Sequence, residues 1–334
     1  MEGDRGEVLL QAAVQDCGTE QDHSSNSNQE QKKDPCAETT AHADFSDPIY
    51  KEISLANGAI NRMNREELRA KCAELKLDTR GVKDVLKKRL KSYYKKQKLK
   101  QSASLGADDS YYDYICVVDF EATCEESNPR NFVHEIIEFP MVLIDTHTLE
   151  IVDSFQEYVK PKLNPQLSDF CVELTGITQK MVDEADPFPS VFRRVVAWLQ
   201  EKELGTKYKY TLLTDGSWDM SKFLYTQCRQ SRMRYPPFAR NWINIRKSYG
   251  NYYKVARTQT KLNCMLQNLG MEYEGRPHCG LDDSRNIARV AIRMLKDGCR
   301  LRVNERLHEG MLQNVSSTAV LEGAPPPQYP KSRD

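Results

Sequence analysis

An apolar segment that ends in two carboxylates constrains the fold of this chain more than any other feature. The run from 114 to 120 (YICVVDF) has the length of a strand, and Asp119 and Glu121 lie two residues apart at its end. Side chains two apart in a strand point to one face, so both acids lie on the same side. Neighbouring buried carboxylates raise each other's pKa unless a cation compensates. The pair therefore indicates a metal site, with a solvated strand end as the alternative when it is taken alone.

The segments that follow predict how this first strand is continued. Strand-like stretches at 136–144 and 151–159 predict a β-meander. Helical stretches at 191–199, 220–229 and 287–295 come later, together with a strand at 208–213. Strands followed by alternating helices predict an α/β domain, here over 111–310, with a C-terminal tail over 311–334.

Two further acidic motifs follow the first. Asp219 comes just after the predicted strand, and Asp283 lies five residues after His278 at the start of the last helix. Together with the first pair they supply four hard oxygen ligands, which suit Mg²⁺, and one base whose ordinary pKa is about 6.5. Two acids are decoys in this interpretation: Asp215 is predicted to lie in a turn, and Asp282 to cap the following helix.

The charge of the chain is divided sharply by segment. Residues 1–60 hold 4 basic and 12 acidic residues, 61–100 hold 15 and 5, and the remainder holds 29 and 31. We expect 1–60 to be a disordered acidic tail, because the first 45 or so residues have little apolar surface to offset the entropy of ordering. Residues 101–110 lack periodicity and are predicted to be a linker.

The basic segment is predicted to be a helical hairpin. Leu68, Cys72 and Leu75 have helical spacing, and a second apolar stripe follows the turn around Gly81. Its basic residues are candidate contacts to nucleic-acid phosphates: Arg69, Lys71, Arg80, Lys83, Lys87, Lys88, Arg89 and Lys91. The alternative is a solvated charged helix pair. The segment resembles the SAP domain, a small nucleic-acid-binding module, through Leu68, Leu75, Leu77, Gly81, Lys83, Leu86 and Leu90.

The order of the acidic motifs carries a second resemblance. D-x-E, then D, then H-x-x-x-x-D resembles the DEDDh exonucleases over about 112–300; the tyrosine branch is excluded because Cys279 stands where its tyrosine would be. More closely, DFEATC at 119–124, ELTGI at 173–177, SWD at 217–219 and HCGLDD at 278–283 resemble the family of histone mRNA 3′-end exoribonucleases, which also carry a SAP domain. The implied fold is a ribonuclease H-like mixed sheet flanked by helices.

The resemblance also implies roles for the site residues. Two Mg²⁺ ions, with Mn²⁺ as the alternative, would be held by Asp119, Glu121, Asp219 and Asp283, with Glu121 bridging and His278 as the general base. The terminal nucleotide would lie against Glu121, Ala122, Leu174, Trp218 and His278. For Trp218 a buried core position is an equal alternative.

The implied activity is that of a metal-dependent 3′-5′ exoribonuclease that releases 5′-mononucleotides. Implied substrates are histone mRNA ending in a stem-loop, small interfering RNA and the 3′ end of 5.8S ribosomal RNA, with stem-loop-binding protein and the ribosome as partners. A DNA-trimming exonuclease and a non-catalytic RNA-binding scaffold remain alternatives. The ten cysteines contain no C-x-x-C pair, so we expect reduced thiols and a protein of the cytoplasm and nucleus, the nucleolus included. No apolar run has the length needed to span a membrane, so we expect no membrane partner.

Overall fold

The structure is a computed structural model, and it describes residues 48–102, 111–316 and 323–330. Its α-helices are α1 (Pro48–Arg62), α2 (Arg65–Glu74), α3 (Lys83–Ser102), α4 (Asp169–Thr175), α5 (Gln179–Asp183), α6 (Phe188–Glu201), α7 (Tyr225–Gln230), α8 (Ile245–Tyr253), α9 (Leu262–Leu269) and α10 (Gly280–Lys296). The strands are β1 (Tyr114–Val117), β2 (Glu121–Ala122), β3 (Ile136–Asp145), β4 (Glu150–Tyr158), β5 (Tyr210–Thr214), β6 (Asn241–Asn244), β7 (Glu305–His308) and β8 (Met311–Asn314). No helix within these residues is long and apolar enough to cross a membrane.

Three helices form the N-terminal module, where the sequence predicted two. Helix α2 begins at a capping box in which Asn64 accepts the Glu67 N–H and Glu67 accepts the Asn64 N–H. Leu68, Leu86 and Leu90 are fully buried between α2 and α3. The third helix, α1, occupies 48–62, so the prediction of a disordered tail over 1–60 is wrong for its last 13 residues.

The error has a physical cause in the spacing of two apolar residues. Ile53 and Ile60 lie seven residues apart on one face of α1, and both are buried. The rest of the predicted tail, 1–47, lies outside the described residues. Helix α3 extends to Ser102, so the predicted linker begins later than residue 101, and 103–110 also lie outside the described residues.

A mixed sheet forms the centre of the larger domain. Its order is β4-β3-β1-β5-β6-β7-β8, with β2 paired to β3 beside β1. Strands β1, β5 and β6 are parallel, whereas β3 is antiparallel to both β1 and β4. The predicted meander and α/β domain are therefore confirmed. The pairing of β2 with β3 is irregular between Glu121 and Ala122, which places the bend at a predicted site residue.

Apolar side chains fill both faces of this sheet. Cys116 and Val118 of the first strand point to a core that contains Phe192 and Trp242. Ile115 and Val117 point to the opposite core, which helices α8, α9 and α10 cover. Because both faces are covered, polar chemistry is confined to the ends of the strands.

The C-terminal region is more ordered than the sequence predicted. Met311–Asn314 forms β8 against β7, so the predicted tail over 311–334 is wrong for its first residues. Further on, the Ala324 N–H donates to Tyr210 O at 2.7 Å, and Gln200 Nε2 donates to Pro327 O at 2.9 Å. These contacts hold 323–330 against the nuclease domain.

The helical module contacts the larger domain through α3, and we call this contact the domain seam. Arg89 Nε donates to Asp297 Oδ1 at 2.6 Å and Arg89 Nη2 to Oδ2 at 2.9 Å, with side chains only 3% and 1% exposed. Val85 packs into the core formed by α8, α9 and α10. The Val82 N–H donates to Asn268 O at 2.9 Å, next to Gly81, whose φ of 115° favours glycine.

Candidate active site

The predicted acids meet at the carboxyl end of β1. Asp119 follows this strand, and Glu121 opens β2. Asp219 begins a single π-helical turn, Asp219–Leu224, directly after β5 and a short turn. Asp283 lies in the first turn of α10, which packs on β3 and β1. The topology thus brings together residues that are up to 164 positions apart, from Asp119 to Asp283.

Three of the predicted residues form a tight cluster. One potential ligand atom each of Glu121, His278 and Asp283 lies within 4.8 Å of the others. Asp219 lies beside them, because its Oδ1 accepts the Phe120 N–H at 3.0 Å. Phe120 is the residue between Asp119 and Glu121. Within the described residues Asp119 and Asp219 are not members of the 4.8 Å cluster. They are close enough to shift the charge state of the site.

The carboxylates raise one another's pKa. Burial raises the pKa of Asp119 well above its usual range, and the charges of Asp219 and Asp283 raise it further. Burial and then Asp283 do the same for Glu121. Burial also raises the pKa of Asp219, to about 7, although the hydrogen bond from Phe120 opposes the shift. A divalent cation would relieve this repulsion, and the oxygen donors are of the hard type that Mg²⁺ and Mn²⁺ accept, so the residues fit the metal that the motifs imply.

His278 is placed by an unusual backbone conformation. Its φ of 62° is rare for a residue with a side chain, and its N–H donates to Asp283 Oδ2 at 2.9 Å. Burial lowers the pKa of the imidazole, and the neighbouring Arg276 lowers it further. A neutral imidazole can accept a proton, which is what a general base requires.

Tyr273 is a site residue that the sequence analysis missed. Its hydroxyl lies 2.7 Å from Asp283 Oδ1 and 3.0 Å from Arg276 O. Burial and the charge of Asp283 raise its pKa, so the hydroxyl keeps its proton and can donate to the carboxylate. No local motif marks this residue, because it reaches the site from a loop ten positions before Asp283.

Glu138 was also missed, and it positions the helix that carries Asp283. This buried residue of β3 accepts the Gly280 N–H at 3.0 Å and the Leu281 N–H at 3.2 Å, so its carboxylate sits at the N-terminus of α10. A Cβ at Gly280 would lie 2.7 Å from Asp119 O, so only glycine permits this approach. The signal in the sequence is Glu138 itself, an acidic residue in the interior of an otherwise apolar strand.

Both decoys are bound to other partners. Asp215 pairs with Arg246, whose Nε donates to Asp215 Oδ2 at 2.9 Å. Asp282 accepts the Arg276 N–H at 3.0 Å and lies 3.6 Å from Arg285. Asp282 therefore bonds the preceding loop. The prediction that Asp282 caps α10 is wrong, since the N-cap residue is Cys279 and the first N–H groups of the helix donate to Glu138.

The remaining predicted nucleotide contacts surround the cluster. Ala122 is buried in β2, and Leu174 is a half-buried residue of α4 that packs in the same cluster as Cys124. Trp218 is half-buried directly before Asp219, so it is not the fully buried core residue of the alternative interpretation. Lys222 Nζ lies 3.5 Å from the centre of its ring.

The basic residues of the SAP-like module have different environments. Lys83, Lys87 and Lys91 lie four residues apart on α3, and we call them the basic face; Lys83 is exposed and the other two are half-buried. Arg69 and Arg80 are exposed beside Glu66 and Asp78, and Lys71 binds Glu74 at 2.7 Å. Lys88 Nζ lies over the Tyr252 ring at 4.3 Å.

Arg89 does not fit the prediction made for it. Its guanidinium is buried in the domain seam, where Asp297 neutralises it, and it cannot reach a phosphate in this position. The prediction that Arg89 contacts RNA is therefore wrong. Its charge links the two domains instead.

Known proteins resemble this chain over both domains. It matches the family model described as Exonuclease over residues 116–291 and the SAP domain model over 59–95. It is 69% identical to the 3′-5′ exoribonuclease 1 of Homo sapiens over 295 residues, which cover 88% of this chain and 84% of that protein.

Two solved structures are similar as well. One, described as 3′-end specific recognition of histone mRNA stem-loop by 3′-exonuclease, is 69% identical with a TM-score of 0.67 and covers 87% of this chain and 100% of that one. The other is the nuclease domain of 3′hExo, a DEDDh family member bound to rAMP, at 72% identity and a TM-score of 0.59, covering 60% of this chain and 100% of that one.

The fold and the carboxylate cluster define a divalent-metal-dependent nuclease of the DEDDh type joined to a SAP domain. The chain belongs to this exonuclease family, and it is a 3′-5′ exoribonuclease. The relatives favour RNA over the DNA-trimming alternative, and an active enzyme over a scaffold.

Proposed function

We propose that this exoribonuclease trims RNA 3′ ends that follow a stem-loop, releasing 5′-mononucleotides while the basic face of α3 holds the stem. The observation that carries the proposal is the cluster of Glu121, His278 and Asp283 in a chain that also presents a basic helix. The similar structure described with a histone mRNA stem-loop supports this substrate. Histone mRNA, small interfering RNA and the 3′ end of 5.8S ribosomal RNA are the proposed targets.

The proposed roles of the site residues come from the family resemblance, and the cluster of Glu121, His278 and Asp283 supports them. Asp119, Glu121, Asp219 and Asp283 would hold Mg²⁺, or Mn²⁺ in its place, with Glu121 as the shared ligand. Bound ions of this kind position the attacking water and offset charge on the leaving 3′ oxygen. His278 accepts the proton of the water, because burial keeps its imidazole neutral near pH 7. Ala122, Leu174 and Trp218 lie against the terminal nucleotide.

Substitution of His278 tests the assignment of the base. His278→Ala should lower kcat at least about 100-fold, since general bases contribute about 10²–10⁴-fold, while the Kd for RNA stays within about twofold. His147→Ala is the matched control, because His147 is an exposed histidine that pairs with Asp113 at 3.0 Å outside the site. Near-normal turnover by His278→Ala would exclude the assignment.

Chelation tests the metal, and a titration identifies it. EDTA should stop the release of mononucleotides, and added Mg²⁺ or Mn²⁺ should restore it. The concentration of each ion that gives half the full rate is then compared with its concentration in the cell, and this comparison shows whether Mg²⁺ or Mn²⁺ serves the enzyme. Release that persists in EDTA would contradict the proposed role of the four acids.

The role of the basic face is tested by salt dependence. Lys83→Ala should weaken binding of a stem-loop RNA and lower the slope of log K against log salt by about 1, as the loss of one phosphate contact does. Lys180→Ala is the control, since Lys180 is an exposed lysine of the nuclease domain that lies 3.7 Å from Glu184. An unchanged slope for Lys83→Ala would mean that the stem binds elsewhere on the protein.

The preference for RNA over DNA is measured separately, by comparing rates on matched RNA and DNA strands.

Partners and location are proposed on the family resemblance. Stem-loop-binding protein and the ribosome are the proposed partners, and pull-down of the full chain from cell extract with and without ribonuclease tests them.

We propose residence in the cytoplasm and nucleus, the nucleolus included, with the basic run at 95–100 serving import. A fluorescent fusion with Lys95, Lys96 and Lys98 changed to Ala should lose its nuclear fraction.

A further inference from the structure

Four partly exposed aromatic rings form a row beside the carboxylate cluster, and we call this row the aromatic ledge. Its members are Phe132, His134, Phe223 and Trp218. Their ring centres lie 5.0 Å apart from Phe132 to His134, 5.6 Å from His134 to Phe223 and 6.1 Å from Phe223 to Trp218. Each ring is nearly perpendicular to the next, and each residue is half-buried. The row is therefore continuous and reaches the surface along its length.

One hydrogen bond attaches the ledge to the segment after β2, and a second joins the elements that follow His134 and Phe223. The His134 ring nitrogen Nδ1 lies 2.7 Å from Thr123 O, two residues after Glu121. The Ile136 N–H donates to Gln227 Oε1 at 2.8 Å, which joins the start of β3 to the helix that follows Phe223. At its other end the ledge finishes at Trp218, directly before Asp219. It therefore leads from the surface to the metal-binding acids.

The π-helical turn explains why Trp218 and Phe223 are neighbours. Residues five apart in an α-helix are separated by about 1.4 turns, so their side chains point to different sides. A π-helix forms i→i+5 hydrogen bonds instead, which brings the side chains of such residues to the same side, and single π-helical turns are frequent at functional sites. The same turn brings Lys222 over the Trp218 ring at 3.5 Å.

A purely structural role accounts poorly for these rings. Phe223 packs against the main core, but Phe132, His134 and Trp218 are not members of any apolar cluster in the described part of the chain. Burial lowers the pKa of His134, so its ring carries no charge at neutral pH. Neutral aromatic surface beside an exposed lysine is the combination that binds single-stranded nucleic acid.

We propose that Phe132, His134 and Phe223 of the aromatic ledge, together with Lys222, form a track for the single-stranded nucleotides upstream of the cleaved bond, while Trp218 at the end of the ledge contacts the terminal nucleotide. Bases stack on the rings of the track, and Lys222 contacts a phosphate. The inference rests on the proposed function, because it names further subsites for the same RNA 3′ end. Since every base has a flat face, the track tolerates any sequence. It gives the enzyme a preference for 3′ tails long enough to reach past the terminal nucleotide.

The test compares a short and a long RNA in the full-length enzyme. The ratio of kcat/KM for an unstructured hexanucleotide to that for a dinucleotide should be well above one in the wild type, because only the longer RNA extends past Trp218 along the other rings of the ledge. Phe132→Ala and Phe223→Ala should each lower this ratio about tenfold, in the range that the loss of one base–ring stack gives. Phe132 lies in a loop, so its variant reports on binding even if Phe223→Ala unfolds, as circular dichroism would show.

Tyr208→Ala with Lys207→Ala is the matched control. Lys207 Nζ lies 4.8 Å from the Tyr208 ring centre, a similar cation–ring pair, but at the opposite end of β5. Its ratio should equal that of the wild type.

A binding measurement separates failure of the ledge from failure of the proposed function. Without divalent ions, Lys222→Ala should bind the hexanucleotide more weakly and lower the salt slope by about 0.7, as one lost contact to a single strand does. Equal ratios for wild type and both phenylalanine variants, with equal hexanucleotide affinity, would overturn the ledge while leaving exonuclease activity intact. A wild type that releases no mononucleotides from either RNA would instead refute the proposed function. The affinities of wild type and variants for the hexanucleotide would then still show whether the ledge binds RNA.

Discussion

Removing Asp297 should break the domain seam at its most buried point. Arg89 gives Asp297 two hydrogen bonds, Tyr253 gives a third at 2.8 Å, and the two charged side chains are 3% and 1% exposed. The Arg89 Nη1 donates to Asp78 O and Arg80 O at 2.5 and 2.8 Å, so the guanidinium is held in place when the acid is lost. Asp297→Ala therefore leaves a buried charge without its counter-charge.

The expected cost is about 3–5 kcal/mol, the range for loss of one partner of a buried ion pair. Urea unfolding followed by circular dichroism measures the free energy of unfolding. The double variant Arg89→Met with Asp297→Leu should recover most of the loss, because apolar residues of similar volume avoid the cost of removing charges from water. Arg194→Ala is the control: its pair with Glu157 is 44% and 26% exposed, so its loss should cost under about 1 kcal/mol.

Two results would refute this reasoning. If Asp297→Ala stayed within about 1 kcal/mol of the wild type, the seam would not depend on the ion pair. If the apolar double variant kept the stability of the wild type, and with it the seam, but lowered the salt slope of RNA binding by about 1, as loss of a phosphate contact does, Arg89 would be an RNA ligand after all.

Three further changes test how the active site is positioned. Gly280→Ala should lower kcat about 100-fold with the fold retained by circular dichroism, because the new Cβ would lie 2.7 Å from Asp119 O and displace α10; normal kcat would refute the close approach. Glu138→Gln should cost about 1–3 kcal/mol in urea unfolding, since its amide group would face a backbone N–H that the carboxylate now accepts; unchanged stability would contradict this. Tyr273→Phe should raise the Mn²⁺ concentration for half-saturation in calorimetry, because Asp283 loses the hydroxyl that orients it at 2.7 Å; an unaltered affinity would mean that Tyr273 does not position the ligand.

Motif spacing indicated acids that the fold brings to one end of the sheet, but not for the reason given by the sequence. The sequence predicted Asp119 and Glu121 on one face of a single strand, whereas β1 ends at Val117 and Asp119 lies between β1 and β2. Glu138 and Tyr273 could not be paired with them from spacing. Glu138 reaches Gly280 across 142 positions, and only the fold brings such residues together.

The tail over 1–60 and Arg89 were mispredicted for a related reason. Composition describes an average over a segment, whereas burial is decided residue by residue. Ile53 and Ile60 form α1 within a polar stretch, and Arg89 is buried within a basic one. In both cases an apolar spacing of helical period was the signal that charge counting concealed.

The helical period places the charged side chains of α3 on two different sides of the helix. Leu86 and Leu90 face α2, whereas Val85 and Arg89, also four residues apart, face the nuclease domain. The basic face of Lys83, Lys87 and Lys91 occupies a third side of the same helix. Because the seam fixes one side, it also fixes the direction in which the basic face points relative to the carboxylates. Disruption of the Arg89–Asp297 pair should therefore reduce trimming of stem-loop RNA more than trimming of a short single strand, which needs no contact with α3.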